Sequence, residues 1–480
     1  MVLRYMSNSS AAKRLAKGTI VYMIGNMMSK VLQMLVLPII TASLITSEYG
    51  YYDLIVTTIN LVTPVITFQM IEGMFRFMYD GTEDDKKSTV STVTAFLVVG
   101  GVALAIIVFT GSFISDSLQY PVLIYLNYIS SIIFNYMQKS ARCQQRNQQF
   151  AISGVLNTIV MLATQALTLL VLNMGVDGML IANFISYIIA ALYLMFFLDI
   201  KHWLGIRYIN RTVFLKLIRY SAPLIPNSIC WWLVSSSDRY IITYFLGTAA
   251  NGIYSIAGKF SQMITFATSV FQLAWQESAI MEENSENRDK FYSDTFNTYM
   301  KLLLGGYLVI LPFIKMIMPV LVSKEYQIGY LYNPILLIGA ILSAFSQFYG
   351  SAYLVLKKTS GALSTTVVAA IINILIGIGL TPVLGLYAPA LGTAIAFGVQ
   401  WVMRMYQMRT YFKVSIELKN LFILLGCVVI ETVGYYFNRK ELQVLLLIFG
   451  CGICLKMNWN LVNGIVKKMK GVGRKNDYGL

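Results

Sequence analysis

Long apolar runs recur from residue 18 to 461, and Lys and Arg gather in every second gap between them. The first gap holds Ser47 and Glu48 and no basic residue, the second Arg76, Lys86 and Lys87, and the third, near Asp116, again none. The fourth carries Lys139, Arg142 and Arg146, the fifth (173–177) none, and the sixth Lys201, Arg207, Arg211, Lys216 and Arg219. A water-soluble fold has no reason to keep such a period. A chain that threads a bilayer repeatedly does, because its short cytoplasmic loops retain the cations. Both termini are then expected in the cytoplasm, since Arg4, Lys13, Arg14 and Lys17 precede the first run and Lys467, Lys468, Lys470, Arg474 and Lys475 follow the last. Lys324, Arg439 and Lys440 are the exceptions on the opposite side.

Composition agrees: the chain is 57% hydrophobic and 12% charged, against about 25% charged in a typical soluble domain. Its net charge of +15 does not indicate nucleic acid, because the cations are scattered among short loops instead of covering one soluble face. Attraction to anionic lipid of the inner leaflet accounts for them. Cys143, Cys230, Cys427, Cys451 and Cys454 lie in or beside apolar runs and imply no disulfide framework. The C-x-x-C of Cys451 and Cys454 sits inside the last run without the βαβ context of a redox motif, so both are read as buried small residues. The N-terminal run is too long for a signal peptide and lacks a small-residue cleavage site, so it is expected to remain as a span. His202 is the one histidine. No catalytic arrangement and no metal-ligand spacing can be assembled around it, so neither an enzyme nor a metal site is expected.

A span needs about 20 apolar residues. That length places spans near 18–44, 50–72, 88–113, 121–141, 151–173 and 178–198, then 222–246, 252–276, 298–320, 332–356, 362–384 and 387–408, and finally 420–437 and 441–461. The expectation is an all-α integral membrane protein of fourteen spans. Its parts are a first lobe over 1–198, a cytoplasmic interfacial linker over 199–220, a second lobe over 221–410, and an extra helix pair with a basic tail over 411–480. The HWLGIRYI core of the linker reads as a surface helix. An internal repeat supports the division: SEYGYYDL at 47–54 matches AANGIYSI at 249–256, setting Gly50 against Gly252, Tyr52 against Tyr254 and Leu54 against Ile256. Parallel repeats imply two similar lobes about an axis along the membrane normal, with a substrate site between them.

Charges at membrane depth cost several kcal/mol and are seldom kept without a role or partner. Here they are Lys30 halfway along the first span, Asp238 and Arg239 in the seventh, and Lys259 two turns into the eighth. Lys30 and Lys259 either line a wet cavity or snorkel, although a mid-span Lys reaches an interface poorly. Neighbouring residues on a helix point about 100° apart, so Asp238 and Arg239 are each expected to have a separate partner, in a cavity or in a structural ion pair. Arg76, in IEGMFRFMYD, is either a positive-inside anchor or a guanidinium fork for phosphate at the inner mouth of a cavity. Asp53 and Glu72 read as interfacial, Glu431 is isolated, and Lys315 and Lys456 can snorkel. Pro38, Pro64, Pro223 and Pro226 mark bends. Trp231 and Trp232 suit either an interfacial aromatic belt or sugar stacking, and the glycines from Gly361 to Gly398 suit tight helix packing.

The opening KGTIVYMIGNMMSKVLQMLVLPIITASLITSEYGYYDL, the IEGMFRFMYD stretch and above all YSAPLIPNSICWWLVSSSDRYIITYFLGTAANGIYSIAGKF at 220–260 resemble Wzx-type flippases of the multidrug/oligosaccharidyl-lipid/polysaccharide exporter superfamily. The resemblance implies a fold like that of the MATE exporters, with the last two spans matching the extra pair of the flippase branches. It implies a transporter moving undecaprenyl-pyrophosphate-linked oligosaccharide from the inner to the outer leaflet of a bacterial cytoplasmic membrane, for surface polysaccharide assembly. Its partners would be that lipid-linked cargo, membrane lipid and other assembly proteins, and the chain would be a monomer. Carried over by position, Lys30, Arg76, Arg239 and Lys259 would hold the pyrophosphate. Asp53 and Asp238 are candidates for proton or sodium coupling, with membrane potential as the alternative drive; no cofactor is implied. The alternatives are a cation-coupled drug exporter, disfavoured because the deepest charge of the first lobe is Lys30, and a membrane glycan polymerase or ligase, disfavoured by the short outer loops.

Overall fold

The computed structural model describes residues 32–80, 82–114, 119–282, 285–355, 359–437, 439–459 and 463, and every regular element among them is a helix. Seven helices among the described residues are long and apolar enough to cross a membrane, eight when one bent pair counts as a single span. The chain is a multi-pass membrane protein. The fourteen spans expected are not confirmed by that count, because helices such as Pro121–Cys143 interleave Tyr, Asn, Ser and Lys with their apolar residues.

The chain divides into two units, residues 1–255 and 256–480. The first contains α1 (Leu37–Ser43), α2 (Thr46–Ile66), α3 (Met70–Asp80), α4 (Glu83–Ile114), α5 (Pro121–Cys143), α6 (Asn147–Ala166, continued as a π-turn over Leu167–Val171), α7 (Gly175–Phe197), α8 (Arg211–Ser221), α9 (Leu224–Ser236) and α10 (Asp238–Leu246). The division falls within α11 (Thr248–Met281). A core of Met70, Met74, Val90, Tyr128, Tyr136 and Leu194 joins α3, α4, α5 and α7. The start of α2 is fixed by Glu48, whose carboxylate accepts the Ile45 N–H at 3.1 Å and also meets the positive end of the helix dipole.

Two expectations change in this unit. The HWLGIRYI segment is not one surface helix. It forms 3-10 turns at Asp199–Trp203 and Ile206–Tyr208, separated by an extended Gly205, and the helix of the linker is α8. Asn210 starts α8 by accepting from the Thr212 N–H at 2.8 Å. Ser91 and Thr92 of α4 pin the linker through Trp203 O, Gly205 N and Asn210 N. The expected single span over 222–246 is likewise broken at Ser237, between α9 and α10.

The second unit continues from α11 with α12 (Arg288–Leu321), a short α13 (Lys324–Gln327), α14 (Asn333–Val355), α15 (Thr359–Leu384), α16 (Tyr387–Met408), α17 (Leu418–Tyr436) and α18 (Lys440–Met457). Stacked aromatic rings fill its centre: Trp275 lies 4.1 Å from Phe348, and Phe271 3.9 Å from Tyr299. Arg404 is 2% exposed and joins three helices, donating to Thr365 Oγ1 (3.1 Å), Thr366 Oγ1 (3.2 Å) and the Ser346 carbonyl (3.1 Å). Cys454 of the C-x-x-C pair lies against Gly305 of α12.

Glu431, on α17, is fully buried, and neither carboxylate oxygen has a hydrogen-bond partner among the described residues. A buried acidic group without a donor is a net cost to the fold. Glu431→Gln is therefore expected to leave thermal stability in detergent unchanged or higher by about 1 kcal/mol. A fall of that size would assign the carboxylate a stabilising partner.

Candidate substrate cavity

The second apolar run, expected as a continuous helix over 50–72, is instead two helices. Pro64 lies in the last turn of α2, and Phe68 and Gln69 both adopt left-handed conformations (φ 47° and 52°) before α3 begins. The axes of α2 and α3 differ by 57°. Left-handed backbone at a residue other than glycine costs about 1–3 kcal/mol and persists only where its surroundings hold it. The hold at Gln69 is visible: its Nε2 donates to Ser228 Oγ of α9 at 2.6 Å.

Beside this break lies a cavity of about 340 Å³ bounded by α2, α3, α5, α7 and α9. Its lining is polar but almost uncharged. One face of α2 supplies Asn60 and Thr63, the residue capping its C-terminus is Thr67, and one face of α5 supplies Asn127, Ser131 and Asn135 at i, i+4 and i+8. Gln69, Asn183, Tyr187 and Ser228 close it. The amides differ in what they already hold. Asn127 donates to the carbonyls of Leu123 and Leu180, at 2.8 and 2.9 Å, and Asn183 donates to Tyr52 Oη at 2.7 Å. Asn60 and Asn135 are exposed to the cavity and make no side-chain hydrogen bond among the described residues. A carboxamide offers two donors and an acceptor, the set that matches hydroxyls.

Glu72 is the one charged residue in this lining. Lys139 pairs with it at 2.5 Å, so Glu72 lines the cavity as one half of an ion pair. Lys139 and Arg142 also stand over the Phe75 ring at 5.6 and 4.8 Å. Arg76 follows Glu72 by one turn of α3 and is exposed.

The remaining candidates fall in three places. Lys30 lies outside the described residues. Lys259 is half-buried on α11 in the second unit. Asp53, Asp238 and Arg239 come together in the first unit: one Arg239 nitrogen reaches both Asp238 oxygens at 2.7 Å, and Nε lies 3.6 Å from Asp53. The expectation that Asp238 and Arg239 have separate partners is thus overturned. The helix is broken at Ser237, and Asp238 as the first residue of α10 is not held to mid-helix geometry. Ser255 donates to Asp53 at 2.6 Å, and the guanidinium sits 5.2 Å from the Tyr254 ring. Two carboxylates against one guanidinium leave the cluster a formal charge of −1. Trp232 donates to the Thr57 carbonyl at 3.0 Å and packs edge-on to Tyr240, which makes it a helix-packing residue.

A search for charge missed the amides. Their signal was nonetheless in the sequence, as Asn-Ser-Asn at four-residue spacing on α5 and Asn-Thr-Thr on α2 and its C-cap, repeats that a lipid-facing helix would not carry.

The first unit thus holds a carboxamide-lined cavity within a multi-pass helical membrane protein. The chain belongs to the polysaccharide biosynthesis protein family, which it matches over residues 15–276. It is 24% identical over 214 residues to a probable low-salt glycan biosynthesis flippase, Agl15, of Haloferax volcanii, covering 43% of this chain and 44% of that protein; the chain thus spans less than half the length of that curated relative. Two solved structures share its fold. One is the inward-facing conformation of a multidrug resistance MATE family transporter of the MOP superfamily (TM-score 0.66, 12% identity, 82% of this chain and 98% of that one). The other is the lipid II flippase MurJ in an inward closed conformation (TM-score 0.67, 12% identity, 93% and 100%).

Proposed function

We propose that this protein is a flippase for a lipid-linked oligosaccharide, carrying undecaprenyl-pyrophosphate-linked sugar from the inner to the outer leaflet of a bacterial cytoplasmic membrane by alternating access, with both termini cytoplasmic. The observation that carries the reading is the near-neutral amide lining of the first-unit cavity. Asn60 and Asn135 present carboxamides to the cavity without a side-chain hydrogen bond among the described residues, and the donors and acceptor of each amide suit sugar hydroxyls. Family membership and the flippase relative support the same class of cargo. Arg76 and Lys259, with Lys30, are the proposed ligands for the diphosphate. Arg239 is proposed to hold Asp53 and Asp238 together, and the surplus negative charge of that cluster makes it the proposed proton or sodium site.

The test is to replace the two unpartnered amides in a strain lacking the native protein. Two lost hydrogen bonds at about 1 kcal/mol each amount to roughly a thirtyfold weaker hold on the cargo. Asn60→Leu/Asn135→Leu should therefore fold with an unchanged melting temperature while lipid-linked oligosaccharide accumulates in the inner leaflet. Full export by the double variant, or lost drug resistance with export intact, would remove the sugar-binding role and favour the drug-exporter reading.

A further inference from the structure

The basic residues that break the charge alternation include Arg439 and Lys440, on the side where the positive-inside rule disfavours them. They are also at the wrong end of their helix. Arg439 is the N-cap and Lys440 the first residue of α18, where the macrodipole is positive and repels cations. Neither makes an ion pair with an acidic side chain among the described residues, and both are exposed. Nothing among the described residues repays their placement.

Both line a second cavity of about 650 Å³, formed by the C-terminal end of α12, the turn after α13 and the start of α18. Lys315 of α12 enters the same space. It donates to the carbonyls of Tyr435 and Phe437 at the end of α17 and stands 4.9 Å from the Tyr330 ring. Those two bonds leave one of its three N–H groups unspent. Gln443, 3% exposed, also lines the cavity. Its amide nitrogen donates to Gly434 and Phe437, and its buried carboxamide oxygen has no donor among the described residues. The rim is apolar and exposed, with Val320 77%, Ile328 50% and Met316 43% exposed, as at a surface facing acyl chains.

We infer that this cavity seats the phosphate of a lipid: Arg439, Lys440 and the third Lys315 proton face the anion, and the tail lies along the apolar rim. Two lipids carry that chemistry, a glycerol-headed phospholipid of the outer leaflet and the sugar-diphosphate lipid itself. Only the second source rests on the proposed function.

The test uses full-length protein in nanodiscs of phosphatidylcholine alone, with phosphatidylglycerol added, or with a polyprenyl diphosphate added, reading retained lipid by native mass spectrometry and thermal shift. Arg439→Gln/Lys440→Gln removes two exposed charges. Lys413→Gln/Lys419→Gln, two exposed cations elsewhere in the unit, removes the same charge as a control. The first variant should retain roughly 10- to 30-fold less of at least one added lipid, with an unchanged melt in phosphatidylcholine, while the control matches wild type. A loss for phosphatidylglycerol alone identifies a resident lipid. A loss for the diphosphate identifies the cargo headgroup and survives failure of the amide experiment only if the cargo reading is wrong about sugar rather than about phosphate. Equal retention by wild type and variant, or equal loss in the control, overturns the site.

Discussion

Gly50→Ala or Gly252→Ala is expected to abolish stable, monodisperse protein, although the change adds a single methyl group. The two glycines face each other in the first unit. A methyl at Gly50 would collide with the Thr248 carbonyl, and one at Gly252 with the Thr46 carbonyl, both far inside van der Waals contact. The contact is reciprocal: Thr46 and Gly50 on α2 stand to Thr248 and Gly252 on α11 as those stand to them. Asn251 ties the crossing by donating to the Gly50 carbonyl at 2.9 Å. Because the obstacle is backbone and not a flexible side chain, relief requires the helices to separate. Overpacking of this kind costs about 1–3 kcal/mol or more, and here it also breaks the Asn251 bond. The two sites relieve the same approach, so the double variant should cost less than the sum of the singles. Size-exclusion profiles and melting curves indistinguishable from wild type would show that the crossing is looser than described.

The second large effect is at Arg239. Its loss in Arg239→Ala leaves Asp238, 3% exposed, and Asp53 close together with their shared cation gone. Removing one partner of a buried ion pair costs about 3–5 kcal/mol, and here two like charges remain. Arg239→Lys should recover only part, since an ammonium cannot replace a guanidinium that reaches both the Asp238 carboxylate and Asp53. Asp238→Asn in the Arg239→Ala background should be more stable than Arg239→Ala alone, because it deletes the repulsion. Thermal unfolding of wild type, Asp238→Asn, Arg239→Ala and the double variant closes the cycle and measures the coupling; additivity would mean that Asp238 and Arg239 do not act as one cluster.

These residues show where sequence reasoning reached and where it stopped. The charge alternation and apolar runs were enough for a multi-pass helical membrane protein, because bilayer thickness and the cost of translocating cations act on sequence directly. The repeat at 47–54 and 249–256 set Gly50 against Gly252. It could not say that they touch, since internal similarity fixes correspondence and not contact. Asp238 and Arg239 were misjudged because the 100° rule assumes an unbroken helix, whereas the helix assignment is interrupted at Ser237. Gln69 was invisible for the same reason: nothing in TFQMIE announces two left-handed residues, which Ser228, distant in sequence, holds in place. Arg404 lies inside the apolar run at 387–408, where nothing in the sequence announces that it knits three helices together.

The amides of the first cavity fall into two kinds, and the difference bears on how such a protein can diversify. Asn127 and Asn183 bind other helices, so exchanging them taxes the architecture. Asn60 and Asn135 make no side-chain hydrogen bond among the described residues, so they can be exchanged while folding proceeds undisturbed. Homologues should accordingly diverge at positions 60 and 135 first and keep 127 and 183.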